Sequence, residues 1–501
     1  MSTIRKQSII SSLVVYLGFA LGFFNTYLFT REGGFTKEEY GLTGFFIAFA
    51  NIMYSVANLG MITYIHKFFP YYKDRLPKEK NDMITIALVI CTTGFLMVTI
   101  AGILFKDVLI DRIFNNSPGI IQYYYWIFIF GFGLTVFSIF EAYSWQQGNA
   151  VLTNFSKEVL FRILITLLIV LATVGLIRKF DIFIKLYSFL YLFIALVVAG
   201  YFAFTRRLHL TLSVSKLTRR LSKKIVTLVS FVWGGHLIFT ISNVFDTIVL
   251  AAVLPNGLAY AGIFTLAQNI SSLIQAPQRG IISSSVGPLS QAWKDKDFVR
   301  INRIYHRSSI NQLIFSTGMF MLIWLNFEDA ISTLKFQEAY AEAKWVFFFL
   351  GLAKIIDMGT GLNSQIIGTS THWRFEFTSG LLLLTLALPL NFVLTRQMGL
   401  IGPAISNLIA FSCYNFIRYW FLLKRFKMQP FNRNTVYTVL LAMVCYSASF
   451  LLFRDQQGFL WMTLRSLLFL ILFGVGVVKL TLTPDLQPVL NTLRKRLKLK
   501  L

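Results

Sequence analysis

Ionisable side chains sit inside long apolar runs of this 501-residue chain, and their types and spacing are its first chemical signal. Three of the 22 acids, Glu141, Asp246 and Asp357, fall within such runs. A charge near the centre of a bilayer costs from about 2.5 to more than 10 kcal/mol, so an ionisable group kept there faces a cavity or a partner. Asp246 has no basic residue within a helical turn. Two readings stay open for it: a titratable cavity group, or a helix–helix hydrogen bond. Lys354 and Asp357 are three apart and share a helix face, where they either neutralise each other or exchange partners within a cavity. Glu141 and Arg162 lie near the ends of neighbouring spans and are expected to pair. Arg279 follows Gln275-Ala276-Pro277-Gln278, where the proline removes a backbone donor and can kink a helix. Its guanidinium reads either as snorkelling to lipid phosphate or as facing a cavity and gripping an oxyanion through several donors.

The weaker candidates are His66, Lys67 and His236, each read first as packing or interface. Asn51 and Asn58 are seven apart, hence expected on one face. Together with Gln268, Asn269, Gln275, Asn363 and Gln365 they form interhelical hydrogen bonds or a polar cavity wall. Cys91, Cys413 and Cys445 show no paired spacing and are expected in the core, with neither disulfide nor metal. The chain has no Gly-x-x-x-x-Gly-Lys-Ser/Thr loop and no His-Glu-x-x-His cluster. ATP hydrolysis by that route, a metal site and a cofactor are therefore not expected.

The elements that must position these residues are membrane helices. Hydrophobic residues make up 56% of the chain, charged residues 14%, and Phe alone contributes 51. Mean hydropathy is +0.64. A bilayer core of about 30 Å needs roughly 20 helical residues. Charge-free windows of that order run over 7–30, 40–66, 83–105, 113–140, 186–205, 308–327, 377–395, 397–417 and 434–453. The window 247–278 is interrupted by Pro255-Asn256-Gly257 and divides into helices of about 225–253 and 258–281. Spans 159–177, 344–367 and 459–480 carry one or more charges. The expectation is an all-α polytopic protein with about fourteen transmembrane helices.

With the N-terminus in the cytoplasm, 30 of the 47 Lys and Arg residues fall on inner segments and 10 on outer loops; seven lie in or at the ends of spans. That bias sets both termini inside. It also explains the net charge of +25 as basic juxtamembrane loops attracting anionic lipid, rather than nucleic acid. The first span is too long for a signal peptide and lacks a cleavage site.

A repeat runs through the sequence. Phe24-Asn25-Thr26 corresponds to Phe245-Asp246-Thr247, Gly41-Leu42 to Gly262-Ile263, and Tyr72-Lys73-Asp74 to Trp293-Lys294-Asp295, all at an offset of 221. Ser144 and Gly148 match Ser364 and Gly368 at 220. The pattern implies two pseudo-symmetric six-helix lobes with parallel orientation. The expected division is 1–208 for the first lobe, 209–224 for a basic cytoplasmic linker, 225–424 for the second lobe and 425–501 for two further helices and a basic tail. The segments 71–80 and 293–307 mix aromatics and charge at helical spacing, which predicts short amphipathic helices on the membrane surface.

Two six-helix lobes plus two helices, the Tyr40-Gly41-Leu42 start of the second helix and the Gly399-Leu400-Ile401-Gly402-Pro403-Ala404 entry to the twelfth resemble a known group. It is the polysaccharide-transport branch of the multidrug/oligosaccharidyl-lipid/polysaccharide exporter superfamily, and the resemblance spans the whole chain. It implies a flippase of the bacterial inner membrane that moves an undecaprenyl-pyrophosphate-linked oligosaccharide, such as an O-antigen or other surface polysaccharide unit, by alternating access. The protein is then not an enzyme, and its partners are the lipid-linked oligosaccharide, anionic lipids and a coupling ion, with a monomer expected. The cavity set would be Arg279, gripping pyrophosphate, with Asp246, its repeat mate Asn25, Lys354, Asp357 and Gln275. The energy source stays open among an ion gradient, the membrane potential and consumption of the product. A multidrug or cation antiporter of the same superfamily is the alternative. A glycan polymerase or ligase fits less well, because the longest outer loop, about 328–343, is short and lacks His or paired Arg.

Overall fold

The computed structural model describes residues 3–177, 179–211, 213–454 and 456–485; within these, the side chains of 3–13, 15, 16, 231, 279, 283, 284 and 373 are left out of the description. The described residues are predominantly helical, without strands other than an isolated bridge at Arg31. They form two compact units, Met1–Thr265 and Leu266–Leu501.

In the first unit, α1 (Thr3–Thr30) is followed by α2 (Lys37–Ala57). Thr36 caps α2 with a reciprocal pair of bonds to Glu39, the arrangement that satisfies two orphan donors at a helix start. The pass then breaks at Asn58-Leu59-Gly60, where Leu59 and Gly60 both have positive φ, and resumes as α3 (Met61–Arg75). Asn58 ends α2 by donating to the Tyr54 and Ser55 carbonyls and accepting from the Gly60 N–H. It therefore does not extend a face shared with Asn51, because the helix stops beneath it. Next come α4 (Met83–Leu104) and α5 (Pro118–Gln146). Then α6 (Ala150–Phe155) runs through a π-helical turn into α7 (Phe161–Thr173). The sixth pass is α8 (Phe180–Ser188) with α9 (Leu190–Phe204). Its core is aromatic: Phe130 stacks on Tyr187 at 5.1 Å and Phe161 on Tyr191 at 4.5 Å. Such pairs contribute about 0.5–1.5 kcal/mol each beyond area burial.

The seventh helix, α10 (Lys216–Val253), starts inside the expected linker, so 216–224 is continuous helix rather than loop. It packs within the first unit, with the Trp233 indole donating to the Ser55 carbonyl at 2.8 Å. The unit boundary falls inside α11 (Gly257–Ser272).

One crossing carries the repeat into three dimensions. A Cβ on Gly41 would sit 1.8 Å from the Leu258 carbonyl oxygen, and one on Gly262 would sit 2.2 Å from the Lys37 carbonyl oxygen. Positions 41 and 262, and positions 37 and 258, differ by the same 221. Each helix therefore offers the other the same pair of positions, which is the reciprocal contact of a local twofold axis. Only glycine lets the two backbones approach this closely.

In the second unit, a 3₁₀ turn over Leu273–Gln275 and Pro277 separate α11 from α12 (Gln278–Lys294). Proline has no N–H to return to the Leu273 carbonyl, which instead accepts from Ala276. The unit continues with α13 (Phe298–Thr333) and α14 (Ala343–Gly359). α14 is bent by 46° from α15 (Asn363–Thr369), across a turn in which Gly361 has φ +67°. Then follow α16 (Trp373–Met398), α17 (Gly402–Phe426), α18 (Arg433–Leu452) and α19 (Phe459–Lys479).

Ten stretches among the described residues are long and apolar enough to cross a bilayer, eleven counting the bent α14–α15 pass. One of the ten, Arg374–Phe426, holds both α16 and α17. The shorter helix Leu17–Thr30 and the α6–α7 pass bring the order to the fourteen expected. The chain is an all-α polytopic membrane protein.

The surface amphipathic helices expected at 71–80 and 293–307 do not form as such: 71–75 ends α3 and is followed by a 3₁₀ turn at Lys78–Lys80, while 298–307 opens α13. Tyr72 is a buried residue of α3, while Ile301 and Tyr305 are buried in α13. Their aromatic spacing reflects the buried faces of long helices that extend past the apolar windows.

Candidate functional site

The densest polar cluster of the second unit lies where its two broken passes meet. Asp357, near the end of α14, accepts from the Gln278 amide at 3.1 Å and the Gln275 amide at 3.4 Å through Oδ2. Its Oδ1 accepts from the Asn415 amide of α17 at 3.1 Å. The Asn415 carbonyl oxygen in turn accepts from Thr360 Oγ1 and Asn363 Nδ2, each at 2.9 Å. A carboxylate removed from water is costly unless donors replace its hydration, and here three neutral amides do so. Thr360 and Asn363 flank the bend of the tenth pass, and Gln275 and Gln278 flank the break of the eighth. Polar side chains gathered at interrupted helices satisfy backbone groups freed by the breaks and line a polar region within an apolar fold.

The structure thus brings Gln275 and Asp357 together, as the sequence reading grouped them, and adds Gln278, Asn415 and Thr360. The expected Lys354–Asp357 bridge is replaced by this arrangement: the carboxylate bonds to amides, and the Lys354 ammonium lies over the Phe411 ring, 5.7 Å from its centroid. Two residues three apart share a face, but the nearer and better-directed donors come from neighbouring helices. Arg279 lies in the first turn of α12; its side chain is outside the described residues.

Two ion pairs of this unit, each built on a buried arginine, lie outside the sequence-based expectations. Arg418 of α17 is 2% exposed, donates to Glu376 and Ser379, and lies 3.6 Å from the centroid of the Tyr414 ring. Glu376 also accepts from Ser364 at 2.6 Å. Arg465 of α19 reaches Asp329 at 2.9 Å and Asn326 at 3.1 Å, and both members of the ion pair are under 10% exposed. The same Asp329 accepts from the Gly458 N–H at the start of α19, so this carboxylate fixes the terminal helix to α13. Both arginines were visible among the seven cations within or bordering spans. Their acids were passed over because they fall outside the charge-free windows.

The first unit holds the other candidates. Asn25 is 5% exposed, donates to the Arg162 carbonyl at 2.8 Å and accepts from Thr166 at 2.6 Å. These bonds tie α1 to α7. Its repeat mate Asp246 is 3% exposed in α10. The expected Glu141–Arg162 pair does not form: Glu141 pairs with Lys157 at 3.3 Å, and Arg162 with Glu158 at 2.6 Å. The π-helical turn at 156–160 carries both new partners, and Glu158 lies one helical turn from Arg162. His66 stacks on Trp145, 5.8 Å between centroids, and His236 Nδ1 lies 3.3 Å from Ser55 Oγ. Cys91 and Cys445 are buried and all three cysteines are free. Among the described residues, no group of three or more His, Cys, Asp or Glu side chains is placed to hold a metal ion.

A tyrosine–aspartate chain closes the unit where the linker meets it. Asp82 Oδ2 accepts from the Ser215 N–H at 2.7 Å and Thr218 Oγ1 at 2.8 Å; Tyr72 lies 2.6 Å from that same hydroxyl. Tyr72 lies beyond the apolar window, and burial raises its phenol above the usual tyrosine range.

Solved structures share this fold over nearly the full length. The chain superposes on the lipid II flippase MurJ, in an inward closed conformation, with a TM-score of 0.74 at 16% identity, covering 93% of this chain and 98% of that one. An inward-facing multidrug resistance MATE family transporter of the MOP superfamily gives 0.61 at 15% identity, covering 87% and 95%. A mutant of the Vibrio cholerae MATE transporter VcmN gives 0.56 at 13%, covering 85% and 96%. No protein-family model matches the chain, and no curated protein matches it. The chain shares the fold of these solved structures.

Proposed function

We propose that this protein is a flippase for a lipid-linked oligosaccharide, carrying an undecaprenyl-pyrophosphate-linked surface polysaccharide unit from the cytoplasmic to the outer leaflet of a bacterial inner membrane. The observation that carries the reading is the end-to-end match with a lipid flippase, which takes in 98% of that chain. The buried Arg465–Asp329 pair, which ties the last helix to α13, supports the same branch, in which two helices follow the twelve of the lobes.

In this reading both termini are cytoplasmic, and lobes 1–208 and 225–424, joined by 209–224, rock about a central cavity while 425–501 is appended. The pyrophosphate is held by Arg279, whose planar fork suits an oxyanion better than an ammonium does. Asp246 and Asn25 occupy equivalent places in the two repeats, and the Asp357 cluster with Lys354 supplies the remaining polar wall, which meets the sugar. The prenyl chain stays in lipid. Anionic lipids contact the basic loops, and an ion gradient, the membrane potential or consumption of the product drives the cycle. The polypeptide works as a monomer and breaks no bond in its substrate.

Removal of the gene tests this against its rivals. Undecaprenyl-linked glycan accumulating on the cytoplasmic face supports flipping. Unpolymerised units accumulating outside would indicate a polymerase, and drug sensitivity without glycan accumulation would indicate the antiporter. In reconstituted vesicles, Arg279→Ala and Asp246→Ala are each expected to slow translocation; wild-type rates for both would overturn the site assignment.

A further inference from the structure

We propose that Asp357 is a positioning residue for the α12 turn that contains Arg279, acting through the two glutamines that bracket the proline break. The inference rests on the functional reading above for what Arg279 binds, but its geometry is independent of it. Gln275 is the last residue of the 3₁₀ turn and Gln278 the first of α12, with Ala276 and Pro277 between them. Both amides donate to the same carboxylate oxygen of Asp357. One acceptor therefore spans the break and fixes the rotation of one segment relative to the other.

Pro277 removes the backbone bond that would otherwise define that rotation. A break with one bond fewer has a softer set of directions unless side chains restrict it. Asp357 is itself held from the far side by Asn415, and Asn415 by Thr360 and Asn363. Further along α12, the Trp293 indole donates to the Ile366 carbonyl of α15 at 3.0 Å. Leu289 and Ala292 join Leu362, Ile366 and Ile367 in one buried core. The segment after the break is thus packed as a body at its far end, and Asp357 sets its near end. Arg279 is the residue immediately after Gln278, so the carboxylate acts on the substrate cation without needing to touch substrate.

The test separates positioning from direct binding and from the functional reading. Spin labels at positions 269 and 290, on either side of the break, report the direction of α12 in the full-length protein with its native cysteines replaced. Asp357→Ala is expected to broaden the label–label distance distribution, and Asp357→Asn, which keeps one acceptor oxygen, to restore most of its width. Gln278→Met, which leaves the carboxylate in place, should broaden it as well and serves if Asp357→Ala does not fold. In vesicles carrying undecaprenyl-pyrophosphate glycan, Asp357→Ala should lower translocation roughly 10- to 100-fold, the scale of a misplaced binding group. In an Arg279→Lys background that penalty should shrink to under about three-fold, because coupled residues are non-additive. Unchanged distance distributions, or an Asp357→Ala penalty of the same size with Lys at 279, would overturn the proposal. Failure of the wild type to move any lipid-linked glycan would instead remove the functional reading, and the distance measurement would still decide the positioning role.

Discussion

The two units handle buried polarity differently. In the first, the pairs Glu141–Lys157 and Glu158–Arg162 are gathered around one π-helical turn and stay partly exposed, with the Lys157 side chain 41% accessible. In the second, Arg418 and Arg465 are enclosed, and Asp357 is held by amides at two helix breaks. Helix α5 is kinked near its start at Tyr123 but continues through the positions that correspond in the repeat to the α14–α15 bend. One repeated helix plan therefore carries two kinds of ion pair: those around the π-helical turn of the first unit stay partly exposed, whereas two arginines of the second are enclosed and meet their partners at helix–helix contacts.

The largest expected effect strikes the enclosed arginines. Arg465→Met leaves Asp329 buried and unpaired and should cost about 3–5 kcal/mol, read as a lowered detergent unfolding temperature; Arg465→Met with Asp329→Leu should recover most of it. Recovery absent in the double variant would show that Asp329 matters through Gly458 and Thr333 rather than through the pair.

Packing comes next and marks what orders the first unit in place of charge. Gly41→Val would force α2 away from α11 at their reciprocal crossing, at about 1–3 kcal/mol by the same measurement. Gly262→Val should match it closely, since the two positions are equivalent. A large difference between them would break the local symmetry. Arg418→Lys keeps the charge but loses the planar contact over Tyr414 and the Nε–H bond to Ser379, for a cost of about 0.5–2 kcal/mol. Smallest of all, Lys157→Ala should change stability by no more than about 1 kcal/mol, as half-exposed pairs do. A cost equal to that of Arg465→Met would erase the contrast between the units.

Much of the fold was legible because membrane helices announce themselves by length and apolarity, and the 221-residue offset reappears at Gly41 and Gly262. The breaks were harder to see. Pro277 marked one, but the interruption at Asn58-Leu59-Gly60 and the bend at Gly361 depend on positive φ at Leu59, Gly60 and Gly361, which nothing in the local sequence singles out. The site was legible in part. Gln275 and Asp357, both members of the expected cavity set, are hydrogen-bonded to each other. The Glu141–Arg162 pairing does not form, and of the two readings of Lys354 and Asp357 the direct bridge is not the one seen, because spacing along one helix says which residues share a face and not which neighbour approaches closest. Asp329 and Glu376 sit near helix ends outside the charge-free windows, yet the fold closes over Asp329 and over the arginine that Glu376 pairs with.

The central claim is that the protein moves a pyrophosphate-linked lipid using a cation at the eighth-helix break. Its most direct test is translocation of a fluorescent undecaprenyl-pyrophosphate oligosaccharide in vesicles containing only this protein, for the wild type and Arg279→Ala. The account predicts transbilayer movement above protein-free vesicles and a loss of at least about ten-fold on removing the guanidinium, consistent with the strength of charge-assisted bonds to an oxyanion. Movement equal to protein-free vesicles for the wild type, or an undiminished rate for Arg279→Ala, would contradict it.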